Sequence, residues 1–208
     1  MEIIFLIIIL IFSIIIHEIA HGAVAYQLGD PTAKYAGRLT LNPLKHIDPV
    51  GSVIVPLFLI IMSQVTGGGI IFGWAKPVPI NPYNFKDQKY GSLKVAFAGP
   101  GANLLVALFF GLLIRFFPVF LDSFGVGMFF SFIVYINILL AVFNLLPIPP
   151  LDGSHILFTF LPYSMRNAKI FLSQFGFILL LFIIFFFFPV IIRIINFIFT
   201  LITGFSLY

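Results

Sequence analysis

The pentad His17-Glu18-Ile19-Ala20-His21 sits inside an apolar run that opens at Ile3. This union of ionisable groups with a membrane-length hydrophobic segment decides how the chain is read. At about 3.6 residues per turn, residues four apart stack on one helix face, so His17 and His21 present two imidazole nitrogens to a single tetrahedral Zn²⁺. Glu18 is rotated about 100° from His17. Its carboxylate reaches a water beside the metal without taking a coordination position, as the general base of a zinc peptidase must. An ionisable group near the middle of a bilayer costs at least about 2.5 kcal/mol and usually marks a function. Three such groups in one pentad, in a chain with 9% charged residues, are poorly explained as packing.

Composition supports membrane insertion independently. Of 208 residues, 61% are hydrophobic and 29 are Phe, with a mean hydropathy of +1.17. A soluble domain of this make-up has far too little polar surface. The length accommodates about four to six spans of about 20 residues and leaves no room for an appended soluble domain. Without Cys, disulfides, thiolate nucleophiles and cysteine-type zinc sites are excluded. The net charge of +4 reflects basic loops, which in so apolar a protein point to lipid head groups and membrane orientation, not to nucleic acid.

The chain opens Met1-Glu2, without the positive n-region or small-residue cleavage site of a signal peptide, so the first helix, Ile3 to Tyr26, is expected to be retained. Gly29-Asp30-Pro31 ends it. Lys34, Arg38 and Lys45 in the next loop place that side in the cytoplasm and the N-terminus outside. Val53 to Phe72 is apolar but carries Pro56 and Gly67-Gly68-Gly69, with Lys76, Lys86, Lys89 and Lys94 on its far flank. Basic charge on both sides predicts a re-entrant element: a helix over Val53 to Val65, a glycine turn, and an extended return through Ile70 to Trp74. One ordinary span is the alternative. Non-helical backbone at that depth must be paired, and Thr32 to Leu41 is the natural partner. The resulting edge suits an unwound substrate added as a strand.

Further spans are expected from Ser92 to Phe117 and from Phe124 to Leu146, then Ile170 to Phe188, broken by Pro189, and Val190 to Gly204. Asn103, in the small-residue run Gly99-Pro100-Gly101-Ala102-Asn103, is a packing hydrogen-bonder or a brace for the site, packing being favoured. The fold class is an all-α polytopic membrane protein of about five to six transmembrane helices with a small membrane-associated β-sheet near the active site. Residues 1–153 form the catalytic membrane core and 154–208 the C-terminal membrane helices of one integral membrane domain.

Two histidines leave zinc short of a protein donor, and Asp152 is the acid at the right depth; Asp30, Asp48 and Asp87 lie in polar loops, and Asp122 and Glu2 face outside. A turn role before Gly153 is the lesser alternative for Asp152. His46 and His155 are expected to be loop groups or supports for the site.

The pentad, together with Asn42-Pro43-Leu44-Lys45-His46-Ile47-Asp48-Pro49, Gly73-Trp74-Ala75-Lys76-Pro77-Val78-Pro79 and Leu151-Asp152-Gly153, resembles the site-2 protease family, peptidase family M50, in a compact form without a PDZ insertion. The resemblance covers about Ile14 to Gly153. It implies an intramembrane zinc metalloprotease with one zinc ion held by His17, His21 and Asp152, Glu18 as catalytic glutamate, and Asn144 acting near the substrate or oxyanion. The implied partners are a transmembrane protein or peptide substrate and the lipid bilayer of the cell membrane, with the active site toward the cytoplasm. The implied work is regulated intramembrane proteolysis or clearance of membrane peptides. A zinc or divalent metal transporter is the alternative, since transporters also carry histidines and acids within spans. The oligomeric state is open.

Overall fold

A computed structural model describes residues 2–66, 75–119 and 126–205. The main helices are α1 (Glu2–Gln27), the single turn α2 (Thr32–Tyr35), α3 (Val55–Thr66), α4 (Gly91–Phe116), α5 (Gly127–Asn144), α6 (Asp152–Phe160) and α7 (Arg166–Thr203). Four are long and apolar enough to cross a membrane: α1, α4, α5 and α7. The protein is therefore an all-helical membrane protein over its described residues. α1 shows why. Its run of isoleucines has a mediocre helix propensity in water, but in lipid every backbone N–H and C=O must be satisfied within the segment, and only a helix achieves that for a lone span.

The loops are organised by three Asx-Pro pairs, each starting a short helical turn with the acid or amide as cap and proline at the first position. Asn42 caps Pro43–Lys45, Asp48 caps Pro49–Ile54 through the amides of Val50 and Gly51, and Asn81 caps Pro82–Asn84. Asp30 anchors the end of α1 to the last of these. Fully buried, its carboxylate accepts from Thr32, from the Asn81 amide at 2.7 Å and from Asn84 Nδ2 at 2.8 Å. Burial pushes this carboxyl up, but the hydrogen bonds from Thr32, Asn81 and Asn84 outweigh it and hold the group below the ordinary Asp value.

α4 is the central helix. From Gly91 every fourth residue through Val95, Gly99, Asn103, Ala107 and Gly111 is buried, a stripe of mostly small side chains that lets neighbouring backbones approach closely. A Cβ at Gly111 would lie 2.4 Å from Ile202 Cγ2 on α7. Ala107 and Ile114 of α4, Val134 and Ile138 of α5, and Ile191, Ile195 and Phe199 of α7 share one apolar core. In lipid such burial carries little hydrophobic term, so fit and dispersion hold this core.

Not every expectation is met among the described residues. Thr32–Tyr35 is a helical turn followed by Gly37 at φ +64°, so this stretch does not run as a strand. Among the described residues there is no β-sheet. The proposed partner, Ile70 to Trp74, and the glycine turn lie outside the described residues. The described helices long enough to span number four, against five to six expected. The difference lies largely in α7, a single helix of 38 residues with Pro189 inside it. Proline there forfeits one hydrogen bond, to the Phe185 carbonyl, a loss membrane helices tolerate. At about 1.5 Å per residue, α7 is nearly twice as long as the hydrocarbon core is thick.

Candidate metal centre

His17 and His21 project from α1 toward α4, where Gly99 leaves room for both rings. A Cβ at Gly99 would lie 2.4 Å from His21 Nε2 and 2.6 Å from His17 Nε2 and Cε1. Asp152 arrives as the first residue of α6, where the prolines of Pro147-Ile148-Pro149-Pro150 prevent continuation of α5. Gly153 permits this approach, since a Cβ there would strike the Leu145 and Leu146 carbonyls at 2.3 and 2.4 Å.

The three candidate ligands converge. His17 Nε2 lies 3.0 Å from His21 Nε2 and 3.0 Å from Asp152 Oδ2, while His21 Nε2 lies 3.2 Å from the same oxygen. Among the described residues this is the one group of three or more His, Asp or Glu side chains that could hold a metal ion.

The hydrogen bonds behind the rings fix the tautomer. His17 Nδ1 meets Asn103 Oδ1 at 2.6 Å. Asn103 turns its Nδ2 to the Ser13 carbonyl at 3.1 Å and to Asn137 Oδ1 at 2.8 Å. A carbonyl only accepts, so the Asn103 amide orientation is determined and His17 Nδ1 is the donor. His21 Nδ1 donates to the Val95 carbonyl at 2.7 Å, one residue before the carbonyl that Pro100 frees. In their neutral form both rings therefore offer the lone pair on Nε2. Two lone pairs and a carboxylate oxygen within 3.2 Å of one another repel unless a cation stands between them. Zinc fits: bonds of about 2.0–2.1 Å in tetrahedral array place donors about 3.3 Å apart.

Glu18 does not join this triad. Its Oε2 accepts from the Val78 amide at 2.8 Å. Glu18, the two histidines, Asp152, Asn144 and His155 line one cavity of about 410 Å³. Asn144 donates one Nδ2 hydrogen to the Leu140 carbonyl at 2.9 Å, which leaves its second for another acceptor. His155 is exposed and is not one of the three residues grouped for a metal. His46 is a buried loop residue, its Nε2 2.9 Å from the Thr40 carbonyl.

Asn103 is both packing group and brace. Its neighbours Asn137 and Ser13 were not singled out from sequence, although a lone Asn within the apolar run of α5 and a Ser four residues before His17 are signals of intramembrane polar contact. Val78 and Arg38 carried no such signal.

A polytopic membrane bundle enclosing two histidines and a carboxylate that could hold a metal ion, with an adjacent glutamate, defines the class. The model of Peptidase family M50 matches residues 120–183. YwhC of Bacillus subtilis, named as a candidate zinc metalloprotease, is 40% identical over 183 residues, covering 85% of this chain and 78% of YwhC. Rip2 of Mycolicibacterium smegmatis, named likewise, is 34% identical over 169 residues, 80% of this chain and 61% of Rip2. MJ0611 of Methanocaldococcus jannaschii, also so named, is 37% identical over 92 residues, 42% of this chain and 46% of MJ0611. No solved structure matches significantly. The chain belongs to peptidase family M50, the site-2 protease family of zinc metalloproteases.

Proposed function

We propose that the protein hydrolyses peptide bonds within or beside transmembrane segments, with His17, His21 and Asp152 holding one zinc ion and Glu18 as general base. The observation that carries this reading is the convergence of two imidazole nitrogens and a carboxylate oxygen within 3.2 Å beside a second carboxylate in the same cavity. Bound zinc supplies Lewis acidity, activating water and polarising a carbonyl. Glu18 takes the proton of the attacking water and returns it to the leaving amide nitrogen. The free Nδ2 hydrogen of Asn144 donates to the oxyanion. Asn103 and the Val95 carbonyl keep both imidazoles in the tautomer that offers Nε2.

A helical substrate hides its carbonyls in its own hydrogen bonds and must unwind locally. Segments containing Gly, Pro or polar residues should therefore be cut in preference to stable poly-Leu spans. Lys34, Lys45, Lys76, Lys86 and Lys89 in the loops support a cytoplasmic site in the cell membrane with the N-terminus outside.

The test is cleavage of a Gly-containing transmembrane substrate by purified protein, with zinc content measured alongside. Glu18→Gln should keep zinc and lose about 10²–10⁴-fold in rate, the usual contribution of a positioned base. Zinc retained in both, with no difference in cleavage, would remove Glu18 from the mechanism.

A further inference from the structure

Arg38 lies in the loop after α2, and only 6% of its surface is exposed. Its guanidinium is permanently charged. Among the described residues it makes no ion pair with a carboxylate. Its terminal nitrogens donate to three backbone carbonyls, Nη1 to Lys45, and Nη2 to Lys76 and, at 3.1 Å, to Pro77, while its buried Nε has no acceptor among the described residues. A buried cation is a costly pin for a loop, because its desolvation is offset only by well-placed acceptors. Its placement coincides with another contact. The Pro77 carbonyl and the Val78 N–H belong to one peptide plane, and that N–H is the donor to Glu18 Oε2 at 2.8 Å.

We propose that Arg38 is a positioning residue for Glu18, acting through the Pro77–Val78 peptide. This rests on the reading of Glu18 as general base. Arg38 fixes the plane from its carbonyl side. The opposite edge then aims its N–H at Glu18. A carbonyl that accepts from a charged donor also polarises its peptide and strengthens the N–H as a donor. Val78 is the one residue of Pro77-Val78-Pro79 with an amide hydrogen, and both flanking prolines fix φ. Val78 is buried and seats against α1 at Gly22, where a Cβ would lie 3.0 Å from Val78 Cγ1. With Oε2 tied to this amide, Oε1 is left to take the proton from water in the cavity.

The two prolines also supply the assay. By hydrogen–deuterium exchange, a fragment running from Ala75 to Pro79 reports the Val78 amide alone, since its first two residues lose their label and the prolines carry none. In Arg38→Gln that amide should exchange about tenfold faster, the effect of losing one hydrogen bond to a charged group. The same variant should lose about tenfold in kcat, with KM and zinc stoichiometry unchanged. Arg38→Lys, which keeps the charge but not the planar fork, should fall between. In a Glu18→Asp background, whose shorter carboxylate does not reach Val78, Arg38→Gln should cost no further kcat.

Unchanged Val78 exchange in both Arg38 variants overturns the proposal, as does a loss confined to zinc content or thermal stability with kcat retained. If the wild type cuts no substrate, the protease reading fails by itself. Val78 exchange then still decides whether Arg38 holds the peptide against Glu18.

Discussion

Replacing Gly99 with alanine sets two effects of opposite sign against each other. In a helix interior, glycine to alanine raises stability by about 0.5–1 kcal/mol. The new Cβ, however, stands 2.4 Å from His21 Nε2 and 2.6 Å from His17 Nε2, where an ordinary contact needs about 3.5 Å. Roughly 1 Å must therefore be found by moving both imidazoles or by backing α4 away from α1. Metal sites tolerate about 0.2 Å in ligand position. Loss of one supporting contact typically costs about 10–100-fold in metal affinity. Displacing two ligands together should cost at least about 100-fold.

The assay is zinc retention against a graded chelator, with thermal unfolding of the metal-free protein as companion. Gly101→Ala is the control, because a Cβ there meets nothing within 4 Å on the same helix. Gly99→Ala should unfold no more easily than wild type without metal, yet release zinc at far lower chelator. Zinc affinity within about threefold of wild type, against the loss expected for displaced ligands, would refute the placement of Gly99 against the ligand nitrogens.

Asn137→Ala removes the acceptor for Asn103 Nδ2 and the donor to Ser13 Oγ, so His17 loses its indirect support. Zinc affinity should fall about 10-fold, with Asn103→Ala falling further, as chelator titration will report. Asp30→Asn replaces an acceptor-only group facing several donors and should destabilise the protein by about 1.5–3 kcal/mol in denaturant unfolding. The carboxyl of Asp30 is held below its ordinary value, so its contribution is present above the unfolded-state pKa and is lost as pH falls through the folded one. Unfolding midpoints should therefore drop less on acidification below about pH 4 in Asp30→Asn than in wild type.

The membrane class and the shared face of His17 and His21 were legible because both depend on local or compositional rules. A hydropathy excess needs no fold to be read, and an i, i+4 histidine pair shares a face in any helix. Asp152 could be proposed by elimination among few acids, in a chain with 7 Asp and Glu residues, and the fold brings it beside both histidines. The Asx-Pro caps were equally local and could have been read as helix starts.

Tertiary structure decided the rest. No periodicity links Asn103 to His17 across 86 positions or Val78 to Glu18 across 60, because such contacts depend on how α4 and the loop dock against α1. Thr32–Tyr35 turned as helix, with the Tyr35 and Ala36 amides bonding back to the Pro31 and Thr32 carbonyls, a choice that its short sequence did not announce. α7 continued through Pro189 because in an apolar setting one forfeited hydrogen bond is cheaper than exposing a whole broken turn. The sequence by itself determined which atoms are available for chemistry. The fold determined which of their protons are already committed, since that depends on acceptors brought from distant parts of the chain.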